Sequence, residues 1–237
     1  MPPKTIDPAA QAVLDKAQAE GIPTVHSRAD QLKPCPIGSE GACCRICSMG
    51  PCRFVGKAPE EVRGVCGADL GTVAARNFAR QVAGGSSAHS DHGRDLAFAL
   101  QAVAKGEAQG YSIKDPNKLL RVAGYLGVAT EGRSIEEIAY DVGVAALAAF
   151  GQQRGDKRAT PKRQELWRRL GLTPRGVDRE VVETLHRTHE GVDQDPEHIL
   201  DQALRTALAD GWGGSMLATD ISDILFGTPT PLQSRAN

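Results

Sequence analysis

The sequence predicts an all-α fold, a multi-helix bundle with a cysteine-rich loop region near its N-terminus. Three observations carry this. Asp-Pro pairs recur at 7–8, 115–116 and 195–196, and Asp followed by Pro is an N-cap followed by a pre-organised first helical residue. Runs of alternating β-branched residues, the mark of half-buried strands, are absent. Five of the six cysteines fall in "CPIGSEGACCRICSMGPC", residues 35–52, whose Gly and Pro content reads as loop.

Taken in order, Asp7-Pro8 opens a first helix and Gly21 closes it. The cysteine stretch is a loop with one helical turn around Cys43 to Cys47. Asp69 caps "LGTVAARNFARQVA", which is expected to stop at Gly84-Gly85, after which Ser86 or Ser87 starts "AHSDHGRDLAFALQAVAKG". Asp115-Pro116 opens a helix running to Gly127. Ser134 and Glu137 form a capping box ahead of "IAYDVGVAALAAF". Thr160-Pro161 opens "KRQELWRRLG", Asp195-Pro196 opens "EHILDQALRTALADG", and a last short helix covers about "LATDISDILFG". The count is seven to nine helices. The domain organisation expected is 1–68 for the first helix and the cysteine loops, 69–227 for the bundle, and 228–237 as a Pro-punctuated linker toward further domains.

The 237 residues are 41% hydrophobic but only 4% aromatic, so Ala, Val and Leu must fill the core. A net charge of −1 leaves no basic excess for nucleic acid. The N-terminal stretch lacks an apolar run of signal-peptide length and no segment approaches a membrane span, so a cytoplasmic protein is expected. In that reducing compartment clustered cysteines read as metal-binding or catalytic before they read as disulfides.

The spacing is Cys35-x7-Cys43, then Cys44-x2-Cys47-x4-Cys52-x13-Cys66. A zinc ribbon needs two C-x2-C knuckles, and only one is present. Thiolates crowded in a small-residued loop, with a last ligand arriving later, are the habit of iron–sulfur sites. Gly50, Pro51, Gly64 and Gly67 supply the small residues that let backbone approach a cluster. Adjacent Cys43 and Cys44 point in divergent directions and serve two centres more naturally than one. Assigning Cys44, Cys47, Cys52 and Cys66 to one [4Fe–4S] cluster leaves Cys35 and Cys43 over. A two-fold homodimer would complete a second cluster with the same pair from each subunit; the alternative is two buried thiols.

At these residues the sequence resembles the catalytic subunit of the anaerobic nickel–iron carbon monoxide dehydrogenases. The resemblance is carried by "CCRICSMGPCR", "GVCGAD", "ARNFAR", "GGSSAHSDHGRDLA", "YSIKD", "LGVATEGRS", "RTHEGVDQDP" and "DGWGGSMLATDISDILFGTP", nearly the whole chain. It implies that Cys35 and Cys43 hold a D cluster shared across a homodimer axis. It implies equally that Cys44, Cys47, Cys52 and Cys66 hold an intrasubunit B cluster. Both would relay electrons from a Ni-Fe-S C-cluster, where CO and water become CO2, protons and electrons, to a ferredoxin-like acceptor. Family subunits continue into two α/β domains that supply the C-cluster ligands; here no cysteine follows Cys66 and the "GHNP"-like segment is missing. The expectation is an N-terminal helical domain that binds clusters but does not itself oxidise CO. The alternative of another class is a stand-alone electron-transfer or structural iron–sulfur module without catalysis.

In "AHSDHGRD", His89, His92 and Asp95 fall at i, i+3 and i+6, on one helix face. Imidazoles titrate near neutrality and suit a reaction that releases protons. By resemblance His89 is the acid/base histidine that leans over the C-cluster and His92 the next member of a proton column. Asp95 and Phe98 stand where the family often continues that column with histidines.

Overall fold

The computed structural model describes residues 4–154 and 161–229. Among them are ten α-helical segments: α1 (Pro8–Ala19), α2 (Val25–Leu32), α3 (Pro36–Ser39), α4 (Leu70–Ala104), α5 (Pro116–Leu126), α6 (Ile135–Phe150), α7 (Pro161–Arg169), α8 (Val177–Arg187), α9 (Pro196–Ala209) and α10 (Ser215–Phe226). The expected caps are in place. Asp7 accepts from the Ala9 N–H, Asp115 from that of Lys118, and Asp195 from those of Glu197 and His198. Ser134 and Glu137 close their capping box. Thr160, expected to open α7, lies outside the described residues, as does the expected linker from residue 230 onward.

Two expectations fail for physical reasons. The helix break at Gly84-Gly85 does not occur: α4 runs unbroken for 35 residues. The hydroxyls of Ser86 and Ser87 do not cap a new helix but bond back to the carbonyls of Val82 and Ala83, at 3.0 and 2.8 Å. Tertiary packing then carries the helix through two poor helix formers, because α4 is the spine against which α6, α8, α9 and α10 all pack. Nor is there a helical turn at Cys43–Cys47. Instead β1 (Cys43–Cys44) pairs antiparallel with β2 (Cys52–Arg53), and the helical turn sits earlier, in α3. Helices α2 and α8 were not foreseen; each lacks an Asp-Pro or Ser-x-x-Glu signal at its start.

The principal core lies between α4, α5, α6 and α10, where Leu96, Leu100, Leu119, Val122, Ile138, Val142, Ile221 and Ile224 interdigitate. Small residues set its spacing. A Cβ on Gly143 would lie 2.7 Å from Gln101 Cγ, and one on Gly93 would lie 2.9 Å from Phe150 Cζ. A second, smaller core of Phe54, Ala68 and Val73 backs the cysteine loops, with Cys44, Cys52 and Cys66 packed against it. Trp167 is buried. No helix among the described residues is long and apolar enough to cross a membrane.

Candidate metal centre

The loops between α2 and α4 are held by the first turns of α4. Asn77 donates to the carbonyls of Gly41 and Cys43 at 3.1 and 3.2 Å. Gln194, in the loop after α8, donates to the Cys66 carbonyl at 2.8 Å and its own carbonyl accepts from the Thr72 hydroxyl at 2.7 Å. The β1–β2 register sets Cys44 opposite Cys52. Side chains alternate across a strand, so Cys43 and Cys44 face opposite ways.

Their surroundings differ accordingly. Cys44, Cys47, Cys52 and Cys66 line one small cavity together with Gly64, Val73, Arg76 and Glu190. Cys43 lines a separate surface groove with Arg45, Asn77 and Arg80. Cys35 is the exposed N-cap residue of α3 and lines neither. The structure therefore brings four of the six cysteines together and leaves Cys35 and Cys43 outside that group. All six are free thiols.

Two features of the cavity bear on what it can hold. Gly64 forms part of the wall, where a Cβ would reach van der Waals contact with Cys52 Sγ at 3.5 Å. Arg76 is 1% exposed and its Nη1 donates to Cys66 Sγ at 3.5 Å. Burial raises the affinity of the Cys66 thiol for its proton, but the Ala68 N–H, the Arg76 guanidinium and the Gly191 N–H outweigh it and hold the thiol below its ordinary range. Cys47 is pushed the other way, chiefly by Glu190. At Cys35 the N–H groups of Gly38 and Ile37 favour thiolate. Among the described residues no three His, Cys, Asp or Glu side chains converge on a point that a single ion could occupy. A zinc ion needs its thiolates gathered at about 2.3 Å, whereas a multi-iron cluster spreads its four ligands around its own bulk. Four thiols and a buried guanidinium around one cavity are a donor set that suits an iron–sulfur centre.

Further along α4, His89 Nδ1 lies 3.0 and 3.1 Å from the carboxylate oxygens of Asp210 and 3.1 Å from Ser215 Oγ. A carboxylate only accepts, so Nδ1 is the donor in this contact. Asp210 opens a π-helical turn, Asp210–Gly214, that joins α9 to α10. A Cβ on Gly214 would stand 2.6 Å from Asp210 Oδ1, so a larger residue there would have to push that carboxylate aside. His92 and Asp95 are exposed, and His92 has no hydrogen-bond partner among the described residues. Asp210, Ser215 and Arg76 escaped sequence reasoning. Asp210 and Ser215 meet His89, and Arg76 meets the Asp193 carbonyl, across more than a hundred residues, and only the quoted "DGWGGS" and "ARNFAR" hint at them.

Residues 42–237 match the sequence profile of the Prismane/CO dehydrogenase family. The chain belongs to that family. Carbon monoxide dehydrogenase 1 of Methanosarcina mazei is 50% identical to this family member, over 99% of this chain and 38% of its own length. Carbon monoxide dehydrogenase of Rhodospirillum rubrum is 45% identical, over 98% of this chain and 37% of its own. Among solved structures, the as-isolated, Ni-free carbon monoxide dehydrogenase from Thermococcus sp. AM4 superposes with a TM-score of 0.82 at 44% identity, covering 97% of this chain and 39% of that one. The chain thus spans well under half the length of the dehydrogenases it matches, and the fold just described is that of the corresponding part of this family.

Proposed function

We propose that this chain is the iron–sulfur, electron-relay domain of a carbon monoxide dehydrogenase, with residues 1–68 bearing the cluster loops and 69–227 the supporting bundle. The observation that carries this reading is the convergence of Cys44, Cys47, Cys52 and Cys66 on one cavity while adjacent Cys43 faces elsewhere. Those four would ligate a [4Fe–4S] B cluster, and Cys35 with Cys43 would contribute half of a D cluster shared with a second copy of the chain. A bound cluster supplies one-electron transfer. The chain's own residues give it a fixed place: Asn77, Gln194 and Thr72 clamp the loops to α4, and the Cys43–Cys44 peptide joins the two centres directly. His89, with Nδ1 engaged by Asp210, would serve through Nε2 as a proton acceptor for CO oxidation in the whole enzyme. His92, exposed one turn further on, would pass protons outward. A ferredoxin-like protein is the proposed acceptor.

The test is cluster stoichiometry. Anaerobically reconstituted protein should be brown and hold about six iron and six sulfide per chain, four from the inner site and half of the shared one. Colourless protein with about one zinc per chain would refute the reading.

A further inference from the structure

Arg76 is an anomaly in the fold. It sits in the second turn of α4, 1% exposed, among the largest fully buried side chains of the protein. Its Nη2 donates to the Asp193 backbone carbonyl at 2.6 Å and its Nη1 to Cys66 Sγ at 3.5 Å, while its Nε has no partner at all. The Asp193 carboxylate does not serve it, being bound to Arg187 and to the Asp195 N–H. Among the described residues no carboxylate pairs with Arg76, unlike Arg94, Arg133, Arg175 and Arg187, each of which has at least one. A buried, unpaired guanidinium is strongly unfavourable unless something anionic meets it. The cavity it lines carries four cysteines.

We propose that Arg76 is the buried counter-charge of the centre held by Cys44, Cys47, Cys52 and Cys66, and that it raises the reduction potential of that centre. This rests on the iron–sulfur reading above. A cluster with four thiolate ligands is anionic and gains one further negative charge on reduction. A fixed cation beside it therefore favours the reduced form more than the oxidised form. Net charge and hydrogen bonds to sulfur are the levers by which proteins set such potentials. The orphaned Nε–H is a buried donor without an acceptor among the described residues.

The experiment compares the whole chain with Arg76→Met, Arg76→Gln and Arg76→Lys, each reconstituted anaerobically. Iron and sulfide are counted, and the four-iron centre is titrated with dithionite and followed by EPR. With iron loading unchanged, Arg76→Met should lower the ratio of reduced to oxidised cluster at least tenfold at a given potential, a shift of about 59 mV for one electron. Arg76→Lys, which keeps the charge, should shift it less. An unchanged potential in Arg76→Met, or an equal shift in Arg76→Lys, overturns the proposal. Where Arg76→Met does not fold, Arg76→Gln decides by the same criterion. Failure of both neutral variants to fold without iron, seen by circular dichroism, would make Arg76 a packing residue and also overturn it. A wild-type chain that takes up no iron overturns this proposal together with the reading it rests on, and the iron count reports that separately from any potential.

Discussion

The grouping of Cys44, Cys47, Cys52 and Cys66 apart from Cys35 and Cys43 was expected from the sequence, and the structure gathers those four around one cavity. The structure adds the strand that turns Cys43 and Cys44 apart. Cys47→Ser should remove about four irons per chain and loosen the loops around the cavity, whereas Cys35→Ser should remove about two. Iron analysis and size-exclusion chromatography of the two variants check this. Loss of iron in neither would sink the assignment of these ligands. His89 was legible as a histidine on a helix, but its partners Asp210 and Ser215 lie more than a hundred residues downstream, and no local pattern reports them. In a full-length dehydrogenase carrying this N-terminus, His89→Ala should keep metal loading and lower CO oxidation about 10²–10⁴-fold, the usual worth of general acid/base help. Loss of nickel instead would make His89 a ligand.

Caps are local chemistry, so helix starts at Asp7, Asp115, Ser134 and Asp195 could be read directly from the sequence. Helix ends and interruptions are not local, and Gly84-Gly85 shows why. Both glycines are exposed, and a Cβ on either would meet open space. Gly84→Ala and Gly85→Ala should therefore each stabilise the protein by about 0.5–1 kcal/mol, measured by chemical denaturation. Gly93→Ala should do the opposite, by about 1–3 kcal/mol, because its methyl meets the buried Phe150 ring. A gain in stability there would contradict the packing of α4 on α6. On α8, burial would lift the Glu183 carboxyl, but Arg175 and Arg187 overcome it and hold it below its ordinary value of 4.5. A carboxyl depressed by folding contributes stability above that value and loses it as pH falls through the folded-state one. Glu183→Gln should thus flatten the acid side of the stability profile below about pH 4.5 while lowering stability at neutral pH.

For the molecule as a whole, the bundle class followed from helix signals, and the two-strand ribbon did not, being only two residues deep on each side. If Cys35 and Cys43 complete a shared cluster, dimerisation should depend on iron. Chelation should convert dimer to monomer in analytical ultracentrifugation, and Cys35→Ser should mimic it. A dimer that survives both would place the contact elsewhere. The long uninterrupted α4 makes one further geometrical demand. Arg76 beside the thiols and His89 opposite Asp210 are carried on one rod, about 20 Å apart at 1.5 Å per residue. The gap between the four-cysteine cavity and the His89–Asp210 pair is therefore ruled by a count of residues instead of by loops that can adjust. One residue inserted between Gly84 and Gly85 would lengthen the gap by about 1.5 Å and rotate one site about 100° out of phase with the other. Seven inserted residues would nearly restore the phase and leave only the added length.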